Sequence, residues 1–180
     1  MFRDLETRVL DLRDIALEEV ESILSAWDNA RGDRFAPPFD ENFNLETVGY
    51  RVASCCSIVD VLDAGADYLY RFWGQKNVDV KGFEMTGKRL TENSLKAVTS
   101  IGFNHFGEVL SQRKPLAFSY GGPYSHITTR EQITFRFPLS DDGESVDKIL
   151  SYQNLEKDAE GWEDIFNLIW DGERPKTAAL

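Results

Sequence analysis

The stretch YRFWGQKNVDVKGFEMTGKRL, from Tyr70 to Leu90, constrains the fold of this chain more than any other. Tyr70 and Phe72 alternate with Arg71 and Trp73, the period of a strand, and the alternation stops at Gly74. A hairpin would close such a strand with a short loop. Instead about a dozen residues follow, read as short turns around Gly82 and Gly87, before a helical pattern begins. A sheet left in this way and re-entered after a helix places that helix across its face. The irregular segment then becomes one wall of a small-molecule or signal pocket.

The flanking segments fit this reading. CSIVDVLD, Cys56 to Asp63, is rich in β-branched residues; AGAD turns the chain and YLYRFWG returns it, which makes a hairpin. TENSLKAVTSIGFNHFGEVLSQRK reads as a long helix with Thr91 as its N-cap and Leu95, Val98, Gly102, Phe106 and Val109 on one face. Gly102 and Gly107 weaken that helix, which predicts close backbone packing there. After Pro115 the strand period returns. LAFSYG puts Leu116, Phe118 and Tyr120 on one face, ITTREQITFRFPL does so for Ile133, Phe135, Phe137 and Leu139, DDGES turns, and VDKILSYQNL forms the last strand. GWEDIFNLIW closes the pattern as an amphipathic helix with Trp162, Ile165, Phe166, Ile169 and Trp170 on its apolar side. The expected fold class is α+β, a five-stranded antiparallel sheet with helices packed on one face and a helix flanking each end.

The N-terminal segment reads as a long amphipathic helix from Thr7 to about Ala30, stopped by Gly32. Leu10, Leu17 and Leu24 recur at seven-residue spacing and Trp27 joins them, so the stripe caps its own domain or forms the interface of a homodimer. FAPPFDENFN is a linker, because Pro37 and Pro38 forbid continued helix, and a short helix or turn occupies Leu45 to Ala53. This divides the chain into an N-terminal helix at 1–32, a core domain at 33–156, and a C-terminal helix and tail at 157–180.

Charge and composition narrow the partners. A formal net charge of −11 argues against nucleic acid and anionic membranes, both of which select clustered Lys and Arg. No apolar run approaches the roughly 18–20 residues of a membrane span, and the charged start MFRDLETRVLDLRD does not read as a secretory signal, so the expected compartment is the cytoplasm. Adjacent Cys55 and Cys56 point to opposite faces of a strand and read as two buried thiols rather than a disulfide. With two histidines, His105 and His126, no metal site is expected. No P-loop, nucleophile elbow or dinucleotide fingerprint occurs, and the expectation is that the chain is not an enzyme.

With these elements in place, YLYRFWGQKNVDVKGFEMTGKRLTE leading into the long helix, followed by RKPLAFSY, resembles a PAS domain. The chain is most similar to bacterial PAS-fold proteins in which a helix ending in Trp and Arg-Gly, here AWDNARG, precedes the core, and a Tyr-Arg strand precedes a Gly and then a Thr-Gly. Tyr70, Arg71, Gly74, Thr86 and Gly87 carry the match, which runs from about Ile23 to Tyr152. The resemblance implies a sensory or interaction module whose flanking helices pass on the binding of a small molecule or partner; the remaining length fits no output domain, so the output is expected on a separate protein.

The residues expected to line the pocket are Tyr70, Phe72, His105, Phe106, Phe118 and Tyr120, drawn from aromatic strand positions and the border of the helix face. Phe135 and Phe137 are expected on the same inward sheet face, whereas Arg71 points away from it, to pair with an acid or anchor a partner. Two alternatives stay open. One is a ligand-free dimerisation or scaffolding module. The other is a haem sensor with His105 as axial ligand, since some PAS proteins bind haem through a histidine on the long helix. A flavin photosensor would carry an Asn-Cys-Arg motif, which is missing here.

Overall fold

The computed structural model describes residues 7–12, 15–120 and 132–173. It is α+β, and its strands form one antiparallel sheet. In chain order the elements are β1 (Thr7–Leu10), α1 (Glu18–Arg31), α2 (Leu45–Val48), α3 (Tyr50–Ala53), β2 (Cys56–Leu62), β3 (Asp67–Trp73), α4 (Gln75–Lys81), α5 (Lys96–Gln112), β4 (Leu116–Tyr120), β5 (Ile133–Leu139), β6 (Lys148–Gln153) and α6 (Ala159–Glu173). The sheet order is β1-β4-β5-β6-β2-β3, with antiparallel pairing throughout.

The two ends of the sheet are built differently from expectation. Thr7–Leu10 is a strand rather than the start of a helix, and it pairs with β4 so that Leu10 lies opposite Ala117. Among the described residues the sheet therefore has six strands rather than the expected five. The helix begins only at Glu18, with Glu18, Glu19 and Glu21 in its first turn and Gly32 at φ 57° as its stop, charges and cap that suit the helix dipole. At the other end, Gly87 at φ 79° turns the chain back so that its N–H donates to Tyr70 O and Arg89 bridges Leu69. The Thr86–Gly87 turn thus covers the outer edge of β3.

The expected helical stripe divides accordingly. Leu10 belongs to β1, Leu17 is the N-cap residue of α1, Leu24 is half-buried against the core, and Trp27 is buried with its indole donating to Pro138 O at 2.8 Å. Val20, Ile23 and Trp27 pack into the same cluster as Phe135, Phe137, Leu139 and Leu150. Trp27 is thus packed within its own domain, and Leu10, Leu17 and Leu24 do not share one continuous helix.

Both faces of the central strands are covered, since β5 and β6 are buried at successive residues. Phe135 and Phe137 lie in the cluster that contains α1, while Thr134 and Arg136 point the opposite way, toward α5. The expected single inward face carrying all the aromatics is therefore corrected. The polar residues of β5 and β6 face the helical roof.

Local chemistry sets the remaining boundaries. The segment after Gly74 is not a run of turns: Gln75–Lys81 forms two turns of helix, closed by Gly82 in the left-handed conformation. Gly74 itself is required by close approach, because a Cβ there would stand 2.3 Å from Ser54 O. The long helix starts at Lys96 rather than at Thr91; Asn93 accepts from Leu95 N–H, and the Thr91 hydroxyl donates to the Asp67 carboxylate at 2.6 Å. Gly102 packs on Leu90 as expected, whereas a Cβ at Gly107 would meet nothing within 4 Å. His126 and the expected strand residues 127–131 lie outside the described residues.

Candidate functional site

A β-bulge decides which side chains of β3 look inward. In the β2–β3 ladder Ile58 pairs with Phe72 but Val59 pairs with Tyr70, so Arg71 is the extra residue. The slip puts Tyr70 and Trp73 on one face and turns Phe72 to the other, where it packs in the α1 cluster. Phe72 is thereby removed from the expected pocket and Trp73 takes its place. Arg71 is mostly solvent-exposed and pairs with Asp60 at 2.5 Å.

Tyr70 and Trp73 border a cavity between the sheet and its helical roof. Its floor is polar and is laid down by ladder register. Arg136 lies directly opposite Ser151 in the β5–β6 pair and donates to its hydroxyl at 2.6 Å; Thr134 lies opposite Gln153, whose amide donates to Oγ1 at 2.6 Å. Ser57 sits opposite Ser151 on β2. The roof is made by Asn77 and Lys81 of α4, by Val98, Ile101 and Gly102 of α5, and by Phe166 and Ile169 of α6. The space open to the centres of water-sized spheres is about 40 Å³.

Two cationic side chains are buried in this wall. On α4, Asn77 anchors to the sheet by donating to Cys56 O at 3.0 Å, and one helical turn later Lys81 donates to Asn77 Oδ1 at 2.6 Å. The Lys81 ammonium also lies 4.5 Å from the centroid of the Trp73 ring and 5.5 Å from that of Phe166. Burial holds it well below the ordinary lysine range, and the nearby Arg136 charge lowers it further. The Arg136 guanidinium sits 4.3 Å from the centroid of Phe106, and Nη2 lies 3.2 Å from His105 Nδ1. A guanidinium only donates, so Nδ1 accepts and the imidazole proton sits on Nε2.

The same surroundings keep His105 neutral. Its ring stacks on Phe118 with centroids 3.9 Å apart, and burial, reinforced by the Arg136 charge, lowers its pKa to about 2. Burial likewise pushes the Tyr70 phenol up to about 12.

Of the expected pocket residues, Tyr70 and Tyr120 line the cavity; His105, Phe106 and Phe118 form a packed layer beside it. The site does not fit a haem. About 40 Å³ is far too small for the macrocycle, and His105 stacks on Phe118 outside the cavity wall.

The residues missed from the sequence are Lys81 and Arg136, together with their neutral partners. The signal was present in ITFRFPL and ILSYQ, where Thr134 and Arg136, and Ser151 and Gln153, share one strand face. Assigning the polar side of each strand to solvent hid it.

Site and cavity are linked to the last helix. The Trp170 indole of α6 donates to Lys81 O at 2.8 Å, and Phe166 and Trp170 both contact the Phe83 ring.

Fold and site together define an α+β domain with a polar-floored cavity. Comparisons with protein-family models, curated proteins and solved structures gave no match for this chain. Among the described residues, no helix is long and apolar enough to cross a membrane.

Proposed function

We propose that this chain is a PAS-type sensory module that binds a small molecule in the cavity under the helical roof and passes the event on through α4 and α6. The observation that carries the reading is the cavity floor, where Arg136 Nε and Gln153 Oε1 are fully buried without a hydrogen-bond partner. Buried polar groups are nearly always satisfied, and a ligand supplies partners that the chain withholds. The antiparallel sheet, the helical passage between β3 and β4, and the Tyr70-to-Gly87 segment forming a cavity wall agree with what a PAS resemblance implies.

A second reading draws on the small volume of about 40 Å³: a scaffolding module whose own side chains fill the site. Native and denaturing mass spectrometry of freshly purified protein separates the two. A molecule released on denaturation supports the sensor, and a bare chain supports the scaffold.

A further inference from the structure

We infer that the cavity takes a small oxyanion, the carboxylate of a short organic acid or an inorganic oxyanion, held between Lys81 and Arg136. The inference rests on the cavity being a ligand site and names the chemistry of its occupant.

The charge balance of the wall carries it. Lys81 and Arg136 are only 6% and 7% exposed, and no aspartate or glutamate lines the cavity among the described residues. The hydrogen-bond partners of both cations are neutral: Asn77 for Lys81, Ser151 and His105 for Arg136. Buried cations in folded proteins are ordinarily paired, since an uncompensated charge away from water is costly. Here a guanidinium and an amine that burial discourages from holding its proton face one space with no counter-charge, and a bound anion would favour the ammonium form.

Donor chemistry points the same way. Arg136 Nε carries an N–H without an acceptor, and the Lys81 ammonium has three N–H groups against one bonded oxygen. An oxyanion supplies acceptor lone pairs and negative charge together. Size then limits the occupant. About 40 Å³ for the centres of water-sized spheres leaves room for a cluster of a few waters, which suits a few heavy atoms and not a nucleotide.

The test is thermal unfolding of the full chain titrated with sodium formate, acetate or phosphate, against sodium chloride at equal ionic strength, for the parent protein, Lys81→Met and Arg136→Met. A saturable rise in the unfolding midpoint with at least one probe, lost in Lys81→Met, is expected. Response to formate or acetate alone assigns a carboxylate, and response to phosphate alone an inorganic oxyanion. Should Arg136→Met not fold, Lys81→Met alone decides. An anion released on denaturation of the parent also supports the assignment.

A rise that persists unchanged in Lys81→Met overturns it, as does the lack of any rise above chloride when no anion is released. In the latter case mass spectrometry separates the two levels. A bound neutral molecule keeps the ligand site and discards only the anion, whereas a bare chain discards both.

Discussion

Lys81 and Asn77 stand one turn apart on α4, and the ammonium of the first donates to the amide oxygen of the second at 2.6 Å, with no carboxylate lining the cavity among the described residues. A lysine so placed weakens the unliganded fold. Lys81→Met keeps the length and apolar stem while removing the charge, and is expected to raise stability in urea by about 1–3 kcal/mol. Because the folded-state pKa is depressed, the unfolded chain binds the extra proton. The contribution of Lys81 to stability therefore rises as pH increases toward 10.5, and the profile of Lys81→Met should differ from the parent's by the loss of that contribution.

His105 gives the complementary acid limb. Its folded pKa lies near 2 against 6.5 unfolded, so its stabilising contribution is complete above pH 6.5 and is lost as pH falls below it. Between pH 6.5 and 5, above most carboxylate titrations, the loss from this residue approaches about 1.4 kcal/mol per pH unit. Urea denaturation of His105→Gln across that window should show a correspondingly flatter profile.

Gly74 tests the close approach that sets the strand-to-helix break. Its added Cβ would meet backbone atoms of Ser54 and Ala53 at 2.3–2.7 Å, which cannot be relieved by turning a side chain. Gly74→Ala should cost about 1–3 kcal/mol in urea denaturation.

Trp27 separates self-capping from dimerisation. Trp27→Phe leaves Pro138 O without its indole donor and is expected to lower stability by about 1–3 kcal/mol. Light scattering should find the same molar mass for Trp27→Phe and its parent, since the side chain is already buried in its own domain. A change in mass would place Trp27 at an interface.

The bulge makes a paired prediction about neighbours in sequence. Phe72→Leu alters the α1 side of the sheet, costs less than about 1.5 kcal/mol, and leaves the anion response intact. Trp73→Leu removes the ring beside Lys81 and should shift the half-saturating anion concentration.

Strands β2 to β6 and helices α5 and α6 were legible in the sequence because each carries a clear apolar period. The first element was not. Leu10, Leu17 and Leu24 fall on a heptad by coincidence of spacing, yet Thr7–Leu10 gains more by pairing with β4 than by extending a helix. The two-turn helix α4 was hidden between Gly74 and Gly82, which read as turn residues although they act as its caps. The bulge at Arg71 was invisible because simple alternation assigns Tyr70 and Phe72 to one face. The site suffered most from this logic. Arg136 and Lys81 look like surface charges until both faces of the sheet are known to be covered.

The bond from Trp170 to Lys81 O means that α6 is fastened to the very residue whose charge would greet an incoming anion. The backbone of Lys81 carries the bond to α6 while its side chain faces the cavity, so one residue touches both. Trp73, whose indole lines the cavity, is also a built-in lamp, and its emission should report occupancy without any added label.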